Sequence, residues 1–367
     1  MAKYFLIAGE ASGDMHAAAL MQQLQQRDPH ALFSGLGGDR MQAVGCRLYQ
    51  DYRHMAFMAF AAVLRNLGQI RRNFRIAEQA LLQERPDTLI LIDYPSFNLR
   101  IAAYCRKHLP KTKIYYYVPP KVWAWKRWRV HRIARLCDEV LAIFPFEPAF
   151  YAQYGYTCTY VGNPTVEEIA RVKAARSKAH SIAVLPGSRP NEVSNSLPRM
   201  LEAARRYPDY RIVVTAAPGI EDDFFTPYLH AGETLTRDTY AAVQEAQAAI
   251  VNSGTATLET ALLGCPQVAV YHLAHSRLVG LIRRVVQPLM FTIRWFTLVN
   301  ILAGREVIRE CIANDFTADG VAAELGRLLQ DEPYRQEMQQ AYRQIADILG
   351  TQHAAATAAE RIVAGND

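Results

Sequence analysis

Asp93 closes an apolar run, Thr88-Leu89-Ile90-Leu91-Ile92, and a helical pattern follows it after Tyr94-Pro95. A carboxylate delivered at the end of a buried strand can take a proton from a substrate hydroxyl if desolvation lifts its pKa. An N-cap for the following helix would use the same residue type at the same place, so both roles stay open. Residues 248–259, AAIVNSGTATLE, form a second constellation: an apolar run, a break at Asn252-Ser253-Gly254, and a helical pattern from Thr255. The first amides of a helix lack internal partners and carry its positive dipole end, which suits a phosphate or diphosphate. Thr255 and Glu259 share a helix face, so Glu259 can accept hydrogen bonds from a ribose diol one turn from the phosphate. The plainer alternative is Ser253 as N-cap and Glu259 facing solvent.

Pro186-Gly187-Ser188-Arg189 is a third turn of this kind, with Glu192 close enough in sequence to orient the arginine. Gly187 admits close backbone approach and Arg189 brings a forked, permanent charge. A turn carrying a surface arginine is the alternative. Gly9-Glu10-Ala11-Ser12-Gly13-Asp14 is a fourth, bracketed by glycines without GxGxxG spacing, which argues against a nicotinamide enzyme.

These turns need elements to hold them. Each follows an apolar run without polar alternation: residues 4–8, 88–92, 181–185 and 249–251, with further runs at 32–34, 113–118, 140–143, 211–216 and 267–271. Such runs alternating with helical stretches predict parallel sheets covered on both faces, with ligands at the carboxyl ends of the strands. A polar stretch after Gly162-Asn163-Pro164 predicts a connection. The expected organisation is an N-terminal domain over 1–164, a linker over 165–178, a C-terminal domain over 179–345, and a segment over 346–367 that packs back on the first domain or on a partner chain. Helices are expected over 318–329, 332–349 and 354–364. Two doubly wound Rossmann-like domains facing a cleft, with a helical C-terminal segment, is the fold class.

A chain of 367 residues, half of them hydrophobic, fits two cores and excludes disorder. Its six cysteines are scattered without CxxC, which predicts free thiols and no zinc site, and His272 and His275 are read as structural. The longest uncharged apolar run, residues 55–64, is about half the ~20 residues that span a bilayer. The net charge of +6 suits an anionic ligand or surface. Residues 55–75 pair an apolar stripe, Phe57, Phe60, Val63, Leu64 and Leu67, with Arg65, Arg71, Arg72 and Arg75. That pattern fits a helix lying in a membrane interface, or one buried in the core. Residues 285–299 are a second bulky apolar segment. Residues 121–135, KVWAWKRWRVHRIAR, interleave tryptophans with cations, as a nucleic-acid groove, an anionic sugar or lipid site, or a solvated basic helix would.

GEASGD (9–14), DYPSFN (93–98), VWAW (122–125), LPGSR (185–189), SGTATLE (253–259) and LAGRE (302–306), in this order, resemble the lipid-A-disaccharide synthase family over nearly the whole chain. The resemblance implies the glycosyltransferase-B fold and an inverting transfer. UDP-2,3-diacylglucosamine would be joined to 2,3-diacylglucosamine 1-phosphate through a β-1,6 bond, with release of UDP. It implies that Arg189, Gly187 and Ser188 meet the diphosphate, Ser253, Gly254 and Thr255 form the phosphate turn, and Glu259 meets the ribose. Asp93 would be the base, Ser12 and Asp14 would border the acceptor side of the cleft, and Asn98 and Asn300 would belong to the acceptor or active site. No metal or cofactor is expected. The resemblance also implies a peripheral place on the cytoplasmic face of the inner membrane, with residues 57–67 in acyl contact, and a homodimer through C-terminal segments. No nucleic-acid partner is expected. Val299 and Arg309 stand where the family pattern differs, next to Asn300 and Glu310. A UDP-N-acetylglucosamine epimerase, or a lipid-linked N-acetylglucosaminyltransferase of the same fold, is the rival reading; a basic nucleic-acid binding module is the rival from another class.

Overall fold

The computed structural model describes residues 2–55, 67–173, 176–272 and 294–366. The chain divides into two compact units, Met1–Pro164 with Thr351–Asp367, and Thr165–Gly350.

In the first unit, strands and helices alternate. They run β1 (Lys3–Ala8), α1 (Ala11–Arg27), β2 (Leu32–Gly37), α2 (Asp39–Ala43), β3 (Arg47–Asp51), α3 (Leu67–Glu84), β4 (Thr88–Ile92) and α4 (Pro95–His108). The unit continues with β5 (Lys113–Tyr117), α5 (Arg129–Leu136), β6 (Glu139–Ala142), α6 (Glu147–Ala152) and β7 (Thr159–Tyr160). The strands pair in parallel in the order β3-β2-β1-β4-β5-β6-β7. Every residue of β4 is buried, because helices cover both faces toward which its side chains alternate. The chain order reverses between β1 and β4, whose last residues, Ala8 and Ile92, are register partners. That switch point opens a crevice beyond the strand ends.

The second unit repeats the plan. After α7 (Pro164–Val172), which straddles the division, come β8 (Ser181–Leu185), α8 (Pro190–Ala204), β9 (Arg211–Thr215), β10 (Thr234–Thr236), α9 (Thr239–Glu245), β11 (Ala248–Asn252) and α10 (Thr255–Leu262). Then follow β12 (Gln267–Tyr271), α11 (Leu298–Ala303), β13 (Glu310–Ile312), α12 (Ala318–Gln330) and α13 (Glu332–Leu349). The parallel order is β10-β9-β8-β11-β12-β13, so this sheet switches between β8 and β11, where Leu185 faces Val251. Residues 165–178, expected as a linker, begin within α7 and group with the second unit.

Gly350, at φ +65, ends α13 in a conformation that glycine adopts without strain. The final helix α14 (Ala354–Asn366) then packs on α1 of the first unit. Ala358, Ala359 and Ile362 are fully buried in the same cluster as Ala17, Leu20 and Met21, and small side chains on both helices permit that approach. Arg361 adds an ion pair to Glu139 at 2.8 Å. Residues 346–350, expected to travel with this segment, stay with the second unit.

All six cysteines are free thiols. Phe57, Phe60, Val63 and Leu64 lie outside the described residues, as do His275 and residues 285–293; Leu67 is the first residue of α3. Among the described residues no helix is long and apolar enough to cross a membrane.

Candidate active site

Asp93 stands just past the end of β4, at the switch point of the first sheet. Its backbone is left-handed, φ +45, and so is that of Tyr94, φ +43. Two successive non-glycine residues in this region cost on the order of 1–3 kcal/mol each and persist only where their surroundings enforce them. Several contacts do so. Asn98 Nδ2 donates to the carbonyls of Ile92 (3.1 Å) and Asp93 (2.7 Å), and the Tyr116 hydroxyl donates to the Asp93 carbonyl at 2.6 Å. The Asp93 amide donates to the Val118 carbonyl at 3.2 Å, and the Tyr94 hydroxyl donates to the Met55 carbonyl at 2.6 Å. Gly9 completes the clamp, because a Cβ there would lie 2.3 Å from Cγ of Tyr94.

The N-cap of α4 is Tyr94, and no side chain caps that helix, so the capping role open to Asp93 is not the one it fills. Burial raises the Asp93 carboxyl above the usual range, against the attraction of Lys121 and the Tyr94 backbone N–H. A half-buried carboxylate with a raised pKa and an enforced backbone has the properties a general base needs. Lys121 also attracts Glu147, whose carboxyl burial raises to about 7. Glu147 accepts from Trp123 Nε1 (3.2 Å) and from the amides of Ile143 (3.2 Å) and Phe144 (3.0 Å).

Three expected acceptor residues have other work. Asn98 is buried and braces the Asp93 turn. Asp14, also buried, accepts from the amides of Gly38 (2.7 Å), Arg40 (3.1 Å) and Met41 (3.2 Å); it caps α2 from α1, and its carboxylate is consumed there. Asn300 has no exposed surface. Its Nδ2 donates to the Ile308 carbonyl (2.8 Å) and to Glu310 Oε1 (3.0 Å), and its Oδ1 accepts from the amides of Val307 (2.7 Å) and Ile308 (3.0 Å). Asn300 therefore fastens the turn into β13. Glu310, in turn, accepts from the amide (2.9 Å) and hydroxyl (2.8 Å) of Thr297, so neither Val299 nor Arg309 disturbs this arrangement. Ser12 is exposed in the first turn of α1, which opens beyond β1 at the same switch point as Asp93.

At the second sheet's switch point the turns after β8 and β11 come together. Gly187 sits at φ +118, and a Cβ there would be 2.7 Å from Glu192 Oε2 and 2.8 Å from Asn252 Nδ2. Only glycine fits both the backbone and the space. Glu192 accepts from the Ser188 amide (3.1 Å) and from Arg189 NH1 (3.0 Å). That ion pair is half exposed at Arg189, and an exposed pair is worth about 0–1 kcal/mol.

Gly254 is the N-cap of α10 with an extended backbone, and no side chain caps the helix. The Ser253 amide is engaged with the Val270 carbonyl at 2.7 Å, which fixes the turn. Among the described residues nothing lies within 4 Å of where a Cβ on Gly254 would sit, and the Gly254-Thr255 turn that opens the helix is exposed. One turn in, burial and then repulsion from Glu168 raise the Glu259 carboxyl. A poorly solvated carboxylate gains most from paired hydroxyl donors.

Sequence reasoning passed over Asn252, buried between the two turns with its Oδ1 3.5 Å from the Ser196 hydroxyl, and Arg199, whose NH1 lies 3.4 Å from His272 Nδ1 beyond β12. The place of Asn252 as the last residue of β11 was the available signal. Among the described residues no three His, Cys, Asp or Glu side chains group as a metal ion requires. A cavity of about 470 Å³ is lined by Arg305, Glu306, Arg309, Glu324, Arg327 and Tyr334. It lies beside Arg309, where the chain enters β13, and so at the opposite end of the parallel strands from these turns.

Two Rossmann-like units, each carrying its functional turns at a strand-order switch, define a glycosyltransferase-B fold. The S. aureus MnaA-UDP co-structure shares it at TM-score 0.65 and 13% identity, over 99% of this chain and 95% of that one. The lipid-A-disaccharide synthetase family model matches residues 4–363. Lipid-A-disaccharide synthase of Geobacter sulfurreducens is 35% identical over 95% of this chain and 93% of the relative, and that of Myxococcus xanthus 37% identical over 98% and 97%. The chain belongs to the lipid-A-disaccharide synthase family, as the motif resemblance led us to expect, and is a glycosyltransferase of lipid A disaccharide formation.

Proposed function

We propose that the enzyme transfers 2,3-diacylglucosamine from UDP-2,3-diacylglucosamine to the 6-hydroxyl of 2,3-diacylglucosamine 1-phosphate, with inversion at the transferred carbon. The observation that carries this reading is the pairing of an enforced, pKa-raised carboxylate at one switch point with an open helix N-terminus, Gly187 and Arg189 at the other. Asp93 takes the hydroxyl proton as the acceptor oxygen attacks the anomeric carbon of the donor. The bond from that carbon to the diphosphate breaks as the new one forms, and UDP leaves with the electron pair.

Charge developing on the diphosphate is met by the α10 amides, the Gly187-Ser188 backbone and the Arg189 guanidinium, which are held in place before the reaction begins. These groups supply the stabilisation without a metal or cofactor. Glu259 accepts from the ribose hydroxyls. The UDP in the MnaA co-structure supports a nucleotide on this fold. Acylated substrates place the enzyme at the cytoplasmic membrane surface as a peripheral protein.

The test is UDP release by the purified, detergent-solubilised protein across a panel of UDP-sugars, with and without diacylglucosamine 1-phosphate. Release only when the diacylated donor and the phosphorylated acceptor are both present is expected. Epimerisation of UDP-N-acetylglucosamine, or UDP release independent of the acceptor, would overturn the reading.

A further inference from the structure

The turn after β5 contains a strained segment that the transfer reaction leaves unused. Val118 is left-handed at φ +55, a conformation rare for a β-branched residue and kept only where the surroundings enforce it. Its amide donates to the Leu141 carbonyl at 3.3 Å, and its carbonyl accepts from the Asp93 amide at 3.2 Å. Strands β4 and β5 are register partners as far as Ile92 and Tyr117, so their turns leave the sheet fastened side by side. Pro119 and Pro120 follow, both buried, and Val122 and Trp123 are buried as well. Lys121 alone of residues 119–123 is exposed.

The backbone of Lys121 is fixed on both sides. Its carbonyl accepts from the amides of Ala124 (3.0 Å) and Trp125 (3.2 Å), and the Val122 amide turns back to the Pro120 carbonyl at 2.6 Å. Trp123 anchors the far side, edge-on to Phe144 and Phe146. A turn held in this way delivers one lysine beside the strand end that carries Asp93.

Burial raises the Asp93 carboxyl, and Lys121 is the first group to oppose it. Desolvation by the surrounding protein lowers the Lys121 ammonium, although the residue as a whole is exposed, and Asp93 and then Glu147 of α6 oppose that. The attraction is Coulombic, with no side-chain hydrogen bond between the two, so the lysine takes none of the lone pairs that a substrate hydroxyl needs. Among the described residues, the other titratable groups about this centre are Tyr116 of β5 and Tyr94, both raised by burial and uncharged where a carboxylate titrates. Glu10 faces Tyr94, Arg129 faces Tyr116, and Glu147 faces Lys121.

We infer that Lys121 is a positioning residue of the transfer: its ammonium, set by the strained turn, holds Asp93 as the carboxylate that receives the acceptor's proton. A lysine loses its proton far above the carboxylate range, so this charge is present throughout the Asp93 titration. An opposite charge favours the ionised carboxyl, and its removal moves the ionisation of Asp93 to higher pH. The inference rests on Asp93 as the proposed base.

The test is kcat/KM for UDP release against pH, with the diacylated donor and 2,3-diacylglucosamine 1-phosphate. Wild type, Lys121→Gln, Lys121→Arg, Asp93→Asn and the double variant of Lys121→Gln with Asp93→Asn are compared. Lys121→Gln should move the acid limb to higher pH and cost roughly tenfold on that limb, with the loss shrinking toward the plateau. Lys121→Arg restores the charge and should return the limb toward its wild-type position. In the Asp93→Asn background, Lys121→Gln should displace nothing along the pH axis. The acceptor's phosphate titrates alike with every variant, so differences between variants belong to the protein. Lys121 is exposed, and unchanged circular dichroism shows that its variants fold. An acid limb that stays in place in Lys121→Gln would overturn the inference. So would a loss equal at every pH and confined to the KM of the acceptor, which would make Lys121 a phosphate contact. A lysine-dependent displacement that persists without Asp93 would also overturn it. A limb abolished by Asp93→Asn but unmoved by Lys121→Gln counts against this inference alone, whereas a limb kept in Asp93→Asn overturns the assignment of the base as well.

Discussion

Asp93 is set apart from other carboxylates that end a strand by what its neighbours spend on it: a buried asparagine, a tyrosine hydroxyl and a glycine all hold an unfavourable backbone at that one position. A base must be ionised to act, and burial raises the pKa at which Asp93 ionises. The acid limb of the kcat/KM profile therefore lies above the usual carboxylate range, with activity rising as pH increases through the Asp93 pKa. Asp93→Asn should abolish that limb and lower turnover by about 10²–10⁴-fold. A limb of unchanged position in the asparagine variant would assign the titration elsewhere. The strand before Asp93 made this residue legible in the sequence. The turn-fastening bonds of Asp14, Asn98 and Asn300 were not legible, because a polar side chain's partners are set by the fold and not by its type.

At the scale of elements, strands buried on both faces announce themselves as continuous apolar runs, and β1, β4, β5, β8, β9, β11 and β12 were readable for that reason. The short strands β3, β7, β10 and β13 were not. They stand at or near the ends of the sheet order, are only partly covered, and carry mixed sequences such as RLYQD. The turn after β8 was legible as a glycine turn, but not that Gly187 is wedged between Glu192 and Asn252. Gly187→Ala puts a side chain at φ +118 against both, a strain of about 1–3 kcal/mol. UDP affinity in this variant should fall by roughly tenfold or more, measured by calorimetry, because the chain escapes that strain by moving the Ser188 amide and Arg189. Affinity equal to the wild type would mean that the turn does not meet the nucleotide.

The molecule as a whole consists of two units of one plan, and the C-terminal helix returns to the first. The break after residue 164 was visible in sequence because polarity and glycine mark it. The return was less so: an alanine-rich helix says little about its partner, and only the facing small residues of α1 identify it. Duplication of the plan permits the division of labour proposed above, with Asp93 on one unit and the turns after β8 and β11 on the other. The most direct test of that division is calorimetric UDP binding measured beside turnover for Asp93→Asn and Glu259→Ala. Asp93→Asn should keep wild-type UDP affinity and lose turnover, whereas Glu259→Ala should lose UDP affinity first. Loss of UDP affinity in Asp93→Asn with turnover per bound donor retained would contradict the account.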